Sequence, residues 1–225
     1  MARCPDCKCE FTRLGSHWAI SDSCDYPNLT QTQRDTITGV LMGDGWIKRK
    51  DGRNPYFAVT MSNEEYLEFL NGKLDVISIG VSPSRSAEES AKMSRKSGLN
   101  PNADSGNYSD LFTLRSRSNP NLSEFANWYN SGEKVFPNNI SLSPTILKHW
   151  YVCDGGMHRD GYLQIGINNE RDSTEKVKEY FDDADLPTPK VNRYDGNCII
   201  YWSVDESKEL LSYMGNSVTG FEYKW

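Results

Sequence analysis

The sequence predicts an α+β fold: two pseudo-symmetric αββαββα halves packed through a pair of apolar helices, over a saddle of antiparallel strands. Three observations carry that prediction. Ile37 to Gly45 (ITGVLMGDG) is an apolar helical run ending on Asp44-Gly45. Leu147 to Gly156 (LKHWYVCDGG) repeats the plan, with Asp154 standing 110 positions after Asp44. Each run is followed by two segments of period-two apolar alternation, an amphipathic helix and two more such segments.

The first helical run carries two glycines inside it. Glycine within a helix costs about 1 kcal/mol relative to alanine, so Gly39 and Gly43 need a reason. They share one face, where missing side chains predict close approach by a second helix. Asp44 falls at the helix end, with Gly45 placed to take the left-handed conformation after it. A carboxylate is disfavoured at that end of the helix dipole, and a bound cation would resolve the conflict. In the second copy His149 stands where Gly39 stands in the first, which predicts looser packing there.

Residues 1–28 read as a separate segment. Four of the six cysteines lie within the first 24 residues, which suggests a metal site in a reducing compartment rather than a disulfide framework. Cys4 and Cys7, two residues between them, are followed by His17 and Cys24: four soft ligands suited to tetrahedral Zn²⁺. Cys9 is a spare that competes with Cys7. Cys153 and Cys198 fall in core patterns.

The first half covers residues 29–130. Thr30 with Gln33 predicts a capping box opening the helix that runs into Asp44. Trp46–Lys50 and Tyr56–Met61 read as a hairpin around Asp51-Gly52-Arg53-Asn54-Pro55. Phe57, Val59 and Met61 point inward there, and Tyr56, Ala58 and Thr60 outward. Ser62 with Glu65 predicts the cap of a helix whose Leu67, Leu70, Leu74 and Ile77 form one stripe. A third strand starts near Val81, and Ser86 to Asn107 reads as a long mobile loop. Tyr108 to Ser118 returns as a strand with Phe112 and Leu114 inward and Thr113, Arg115 and Arg117 outward. Leu122, Phe125 and Trp128 sit on a short closing helix.

Residues 131–142 read as a polar linker, punctuated by Gly132 and Pro137. The second half covers residues 143–225. Ser143 is the expected N-cap, with Pro144 at the first helical position. Met157–His158 and Tyr162–Asn168 are the next strands, with Leu163, Ile165 and Ile167 inward. Asp172 with Glu175 predicts the start of a helix burying Val177, Tyr180, Phe181 and Ala184. Pro189–Tyr194 and Asn197–Val204 form a hairpin at Asp195-Gly196, and Leu210, Leu211 and Met214 lie on the last helix.

On these residues the chain resembles the single-chain LAGLIDADG homing endonucleases over residues 29–225. The first copy of the motif keeps the glycine, the small residue, the aspartate and the final glycine. The second keeps the aromatic-apolar run and Asp-Gly-Gly. The resemblance implies a cytoplasmic monomer that binds a long double-stranded DNA site and cuts both strands, serving intron or intein homing. It implies Mg²⁺ or Mn²⁺ as the working metal, with Ca²⁺ a non-catalytic substitute. Asp44 and Asp154 would be the metal's carboxylates, joined by the backbone carbonyls of Gly43 and Cys153. Lys134 and Lys224 match the basic residue of each half, which polarises water or stabilises the transition state. The family often places a polar residue such as Gln after the second strand of each half, where Met61 and Ile167 stand here.

The outward strand faces supply the candidate DNA contacts: Lys48, Lys50, Arg53, Tyr56, Thr60, Arg115 and Arg117 in the first half, and Gln164, Asn168, Lys190, Asn192, Tyr201 and Ser203 in the second. Two binding proteins on the same fold are the alternatives, an intron-RNA maturase and a DNA-binding protein that does not cleave. A zinc-dependent transcription factor leaves the duplicated acidic helix ends unexplained.

The charge balance opposes a simple DNA binder: 31 acidic against 25 basic residues, a net charge of −6. Much of the acid lies in Asp172–Asp185, on faces turned away from DNA. The expectation is adaptation to a salt-rich cytoplasm, as in a halophilic archaeon, with outer acidity keeping the protein soluble while a basic strand face binds. No apolar run reaches bilayer length and no signal peptide opens the chain, so no membrane partner is expected.

Overall fold

The computed structural model describes residues 1–50, 52–130, 132–170 and 172–225. Asp51 of the expected hairpin turn and Ser131 of the expected linker lie outside the described residues. In the amino-terminal segment β1 (Ala2–Arg3) and β2 (Glu10–Phe11) pair antiparallel and lead into α1 (Leu14–Ile20). Helix α2 (Gln31–Met42) opens at Thr30. The Thr30 hydroxyl accepts from the Gln33 amide, and the Gln33 side chain accepts from the Thr30 amide, so the capping box forms as expected.

Gly45 departs from expectation, because it does not adopt a left-handed conformation. A Cβ there would stand 2.8 Å from the Val40 carbonyl oxygen and 2.9 Å from Val40 Cγ1. Crowding by the preceding turn, not backbone freedom, requires the glycine.

Strands β3 (Gly45–Lys48) and β4 (Tyr56–Met61) lead to α3 (Glu64–Leu74). The N-cap of α3 is Asn63, whose Oδ1 accepts from the Tyr66 amide at 3.0 Å. Ser62 therefore stands one residue outside the helix, because asparagine caps as well as serine does. Leu67, Leu70, Leu74 and Ile77 are all buried. Strand β5 (Ser78–Arg85) follows. The expected loop of residues 86–107 instead contains α4 (Ala87–Ser97), opened by a Ser86–Glu89 capping box and closed by Gly98 at φ 75°. Strand β6 (Leu111–Ser116) completes a sheet of order β3-β4-β6-β5, and α5 (Ser123–Ala126) follows with Phe125 buried.

The stretch read as a polar linker is packed. Strands β7 (Tyr129–Asn130) and β8 (Glu133–Lys134) pair as a small hairpin, and Phe136, Ile140 and Leu142 are buried. The Phe136 amide donates to Glu170 Oε1 at 2.5 Å, and its carbonyl accepts from Lys176 Nζ at 2.9 Å. Lys176 and Glu170 pair with each other at 2.6 Å, the carboxylate 2% exposed.

Helix α6 (Pro144–Asp154) begins as expected, with the Ser143 hydroxyl accepting from the Ile146 amide and Pro144 in the first turn. Strands β9 (Gly155–Met157) and β10 (Leu163–Gly166) precede α7 (Thr174–Asp182). The N-cap of α7 is Ser173 and its side chain makes no capping bond, so the expected Asp172–Glu175 start is not used. Strands β11 (Lys190–Tyr194) and β12 (Asn197–Tyr201) turn at Asp195 (φ 46°) and Gly196 (φ 78°), two left-handed residues as a tight hairpin requires. Helix α8 (Val204–Met214) is capped by Ser203, which ends the strand earlier than expected. The second sheet runs β11-β12-β10-β9. Its strands hold the same places as those of the first sheet, which is the sign of a duplication.

By its contacts the chain divides into residues 1–28 with 46–122, and residues 29–45 with 123–225. The first unit holds the amino-terminal segment and the first sheet. The second holds α2, α6, the 129–142 stretch and the second sheet. Its core packs Trp150 against Phe181 (ring centroids 6.2 Å apart, tilted 37°) and Phe181 against Trp202 (5.0 Å, tilted 55°). Among the described residues no helix is long and apolar enough to cross a membrane.

Candidate active site

The site is built where α2 and α6 pack together in the second unit. A Cβ on Gly39 would overlap the Ile146 carbonyl oxygen and stand 2.8 Å from His149 Cβ. One on Gly43 would overlap Cys153 Cβ and stand 3.3 Å from its Sγ. The helices therefore touch at both glycines. His149 does not loosen the seam as expected: it is buried, and it lies against the position where Gly39 lacks a side chain.

This contact brings the two acidic helix ends together, with Asp154 Cγ 3.5 Å from the position of a Gly43 Cβ. Both aspartates keep an open face to solvent. The protein crowded around them still strips away water, and this raises the Asp44 carboxyl against the opposing pull of Lys134 and Lys224. Desolvation and then the Asp44 charge raise Asp154 to about 6, with the same two lysines pulling it down.

Lys134 Nζ donates to the Gly43 carbonyl at 2.5 Å and to the Gly45 carbonyl at 3.1 Å. Lys224 Nζ donates to the Val152 carbonyl at 2.8 Å and the Gly155 carbonyl at 2.6 Å. Burial lowers both ammonium groups, and Asp44, Asp154 and Cys153 raise them. The lysines reach their places by unlike means. Lys134 comes from β8, whereas Lys224 lies in the terminal turn Glu222–Lys224, whose carbonyl accepts from the Tyr151 hydroxyl at 2.7 Å. The Glu170–Lys176 pair that anchors Phe136, two residues beyond Lys134, carries no periodic signal in the sequence.

A divalent cation fits this donor set. Two carboxylates that repel each other in a partly dried site offer hard oxygens, and a cation would relieve the repulsion. Of the expected carbonyl donors, Gly43 already accepts from Lys134. Burial and the neighbouring carboxylates push the Cys153 thiol up to about 12, so it stands as a neutral thiol.

The expected DNA-contacting residues separate into two groups. In the first sheet, register places Ala58 opposite Arg115 and Thr60 opposite Thr113. The Arg115 guanidinium lies 4.0 Å from the Tyr56 ring centroid, and the Thr60 and Thr113 hydroxyls are 2.5 Å apart. Ala58, expected to be wet, is buried on that face. Lys48, Lys50 and Arg53 are exposed. Arg117 is instead tied inward, its Nε donating to the Val76 carbonyl at 3.0 Å.

In the second sheet Gln164, Tyr201 and Lys190 stand in one register row across three strands, with Asn192 exposed on β11. Asn168 lies past β10, and its Oδ1 accepts from the Cys198 amide at 2.7 Å, so it braces the sheet. Ser203 is the cap of α8, its hydroxyl accepting from the Glu206 amide, which withdraws it from the strand face. Sequence reasoning missed the aromatic row beside these residues: His158 stacks on Tyr162 at 4.3 Å, and Tyr162 meets Tyr201 at 5.8 Å. The ligand atoms of Cys4, Cys7, His17 and Cys24 all lie within 4.8 Å of one another in the first unit.

A family model described as the LAGLIDADG DNA endonuclease family matches residues 34–210. No curated protein sequence matches the chain. Among solved structures, the homing endonuclease I-WcaI bound to its DNA recognition sequence is similar at a TM-score of 0.71 and 14% identity, covering 88% of each chain. That likeness is one of fold. I-DmoI in complex with DNA and Mn matches at a TM-score of 0.45 and 16% identity, covering 81% of this chain and 96% of that one. Full-length DUF199/WhiA from Thermatoga maritima matches at 0.48 and 8% identity, covering 83% of this chain and 57% of that one.

Proposed function

The chain belongs to the LAGLIDADG DNA endonuclease family, and from that premise we propose that it is a site-specific homing endonuclease, cutting both strands of a long double-stranded DNA target with Mg²⁺. The observation that carries the reading is the pair of acidic helix ends, each backed by a lysine that grips the same helix end. The protein would act as a monomer on DNA in the cytoplasm, as an intron or intein product does.

In hydrolysis a water oxygen attacks phosphorus, the bond to the 3′ oxygen breaks, and that oxygen collects a proton. A 5′-phosphate and a 3′-hydroxyl remain. Asp44 and Asp154 would hold the ion, with the Gly43 and Cys153 carbonyls beside them. When bound, Mg²⁺ supplies positive charge at the phosphate and makes nearby water more acidic. The chain's own part is positional. Each lysine ammonium has three donors, of which two are taken by helix-end carbonyls. The third would donate to a phosphate oxygen as negative charge builds on it, with little reorganisation at that moment, Lys224 doing so from beside the Phe221 ring, 4.9 Å from its Nζ. Binding falls to the outer strand faces, where Arg115 on Tyr56 and the Gln164–Tyr201–Lys190 row offer charge, stacking and amide groups to a groove.

The test begins with selection of cleaved molecules from a randomised DNA library. The recovered site is then placed in a supercoiled plasmid, which should become linear with Mg²⁺ or Mn²⁺ and stay intact with EDTA. Ca²⁺ should support binding without cleavage. Tight binding with no cleavage in Mg²⁺ would favour a second reading, a DNA-binding protein or an intron-RNA maturase. That reading draws on Met61 and Ile167: Ile167 is buried, Met61 is half-buried, and neither supplies a polar group to order a water.

A further inference from the structure

The amino-terminal segment contributes no residue to the pair of acidic helix ends, and it gathers a cluster of soft ligands of its own. We propose that Cys4, Cys7, His17 and Cys24 bind one structural Zn²⁺ ion and that the ion folds residues 1–28. Their ligand atoms lie within 4.8 Å of one another, and Cys7 Sγ is 3.7 Å from His17 Nε2. Tetrahedral zinc with Zn–S bonds of about 2.3 Å has ligand–ligand edges of about 3.8 Å. One edge is therefore already in place, and the others need only small side-chain adjustments.

Each ligand is aimed by its own local structure. Between β1 and β2, the Cys4 amide donates to the Cys9 carbonyl at 2.8 Å and the Lys8 amide to the Cys4 carbonyl at 3.1 Å. Lys8 sits at φ 62°, a left-handed conformation that non-glycine residues avoid, and this tight turn sets Cys4 and Cys7 side by side. His17 comes from α1, with its ring stacked on Phe11 at 3.8 Å and 12°. Cys24 is held by Ser21, whose hydroxyl accepts from the Cys24 amide at 3.0 Å. Cys9 is excluded, because its thiol donates to the Cys7 carbonyl at 3.6 Å and it is absent from the cluster.

The segment has little regular structure of its own. Its strands have two residues each and its helix seven. Its small core contains Leu14 and Trp18 together with two of the proposed ligands, Cys4 and Cys24. A segment this short needs a staple in place of a larger core. Three thiols and an imidazole suit an ion better than a disulfide, which would leave one thiol and the histidine idle.

The test uses the full chain, expressed with zinc present and purified without chelator. Mass spectrometry of metal content should find one zinc per chain. Replacement by Co²⁺ should give the intense visible bands of a tetrahedral site and a thiolate charge-transfer band. Cys9→Ser should keep both the stoichiometry and the spectrum. Cys7→Ser and Cys24→Ser should lose most of the metal, and His17→Cys should keep it with a shifted cobalt spectrum. That last variant guards against simple misfolding, because it preserves the donor count. Zinc well below one equivalent in the unaltered protein would overturn the proposal. So would a disulfide among these cysteines after reductant-free purification, or metal loss on replacing Cys9 but not Cys7.

Discussion

Lys224 grips the end of α6 as Lys134 grips the end of α2: each ammonium donates to one carbonyl near the helix end and to that of the glycine following the aspartate, Gly155 or Gly45. One lysine comes from a two-residue strand and the other from a turn at the chain's end. Two unlike local structures thus deliver the same group to equivalent places.

If each ammonium stabilises charge on a phosphate, Lys134→Ala and Lys224→Ala should each slow cleavage by about 10²–10³-fold, the usual effect of losing one preorganised donor. DNA affinity should change little. Single-turnover assays on a target labelled on either strand would read this, and a loss under tenfold would remove the lysines from the transition state.

The shared acidic centre makes a different demand on its two members. Asp44→Asn and Asp154→Asn should each retain DNA binding, abolish cleavage of both strands and leave the metal-free protein no less stable, since each relieves like-charge repulsion. Clean nicking of target plasmid by either variant, at near the unaltered rate, would show two separate sites.

Asp154, raised to about 6, sets the pH dependence. Protons and cations compete for its carboxyl, so Mn²⁺ affinity measured by calorimetry without DNA should fall as pH drops through 6 and level off above about 7. For the metal-free fold the sign is opposite to that of a salt-bridged acid. The folded state keeps a proton that the unfolded chain releases near pH 4, so stability declines between about pH 4 and 6 and is flat above. Urea titrations across this range should show that slope, and Asp154→Asn should weaken it, leaving the smaller contribution of Asp44, which burial also raises.

The helix seam is testable without any substrate. Gly39→Ala and Gly43→Ala place a methyl against backbone or Cys153 Cβ and should destabilise by about 1–3 kcal/mol, as overpacking does. Gly72→Ala, in α3 with open space around its position, should instead stabilise by up to about 1 kcal/mol. Urea midpoints compare the three directly.

Glu175, Glu179, Asp182 and Asp183 are all exposed on and just beyond α7. If this acid serves a salt-rich cytoplasm, thermal stability and cleavage should both hold or improve as KCl rises toward molar levels. Activity and stability that peak at low salt and collapse in molar KCl would exclude that adaptation.

Local rules made much of this architecture readable. Thr30 with Gln33, Ser143 with Pro144, and Asp195-Gly196 each state their structure within a few residues, and Cys4, Cys7, His17 and Cys24, grouped from the sequence as candidate ligands, do lie together. What escaped was tertiary. Helix α4 has little apolar pattern, and Ala91 is its buried hydrophobic residue. Ser203 reads equally well as a strand residue or a cap until the strand's end is known. The Glu170–Phe136 bond spans 34 positions, and no periodicity marks it. The role of His149 depended on knowing that Gly39 lay across from it.

That pairing has a consequence for ancestry and target choice. The two copies of the motif are matched as knob and hollow: histidine and cysteine on α6, glycine and glycine on α2. On α2 the glycines leave room for the His149 and Cys153 side chains, and a helix bearing side chains at those two positions would meet them directly. A symmetric dimer reads a palindrome, because its halves are identical. A chain whose paired helices are unlike is released from that symmetry, and on the function proposed above each strand face would be free to follow its own half of the target. The two sheets already differ in what they present: Arg115 on Tyr56 in one, and Gln164 beside Tyr201 in the other.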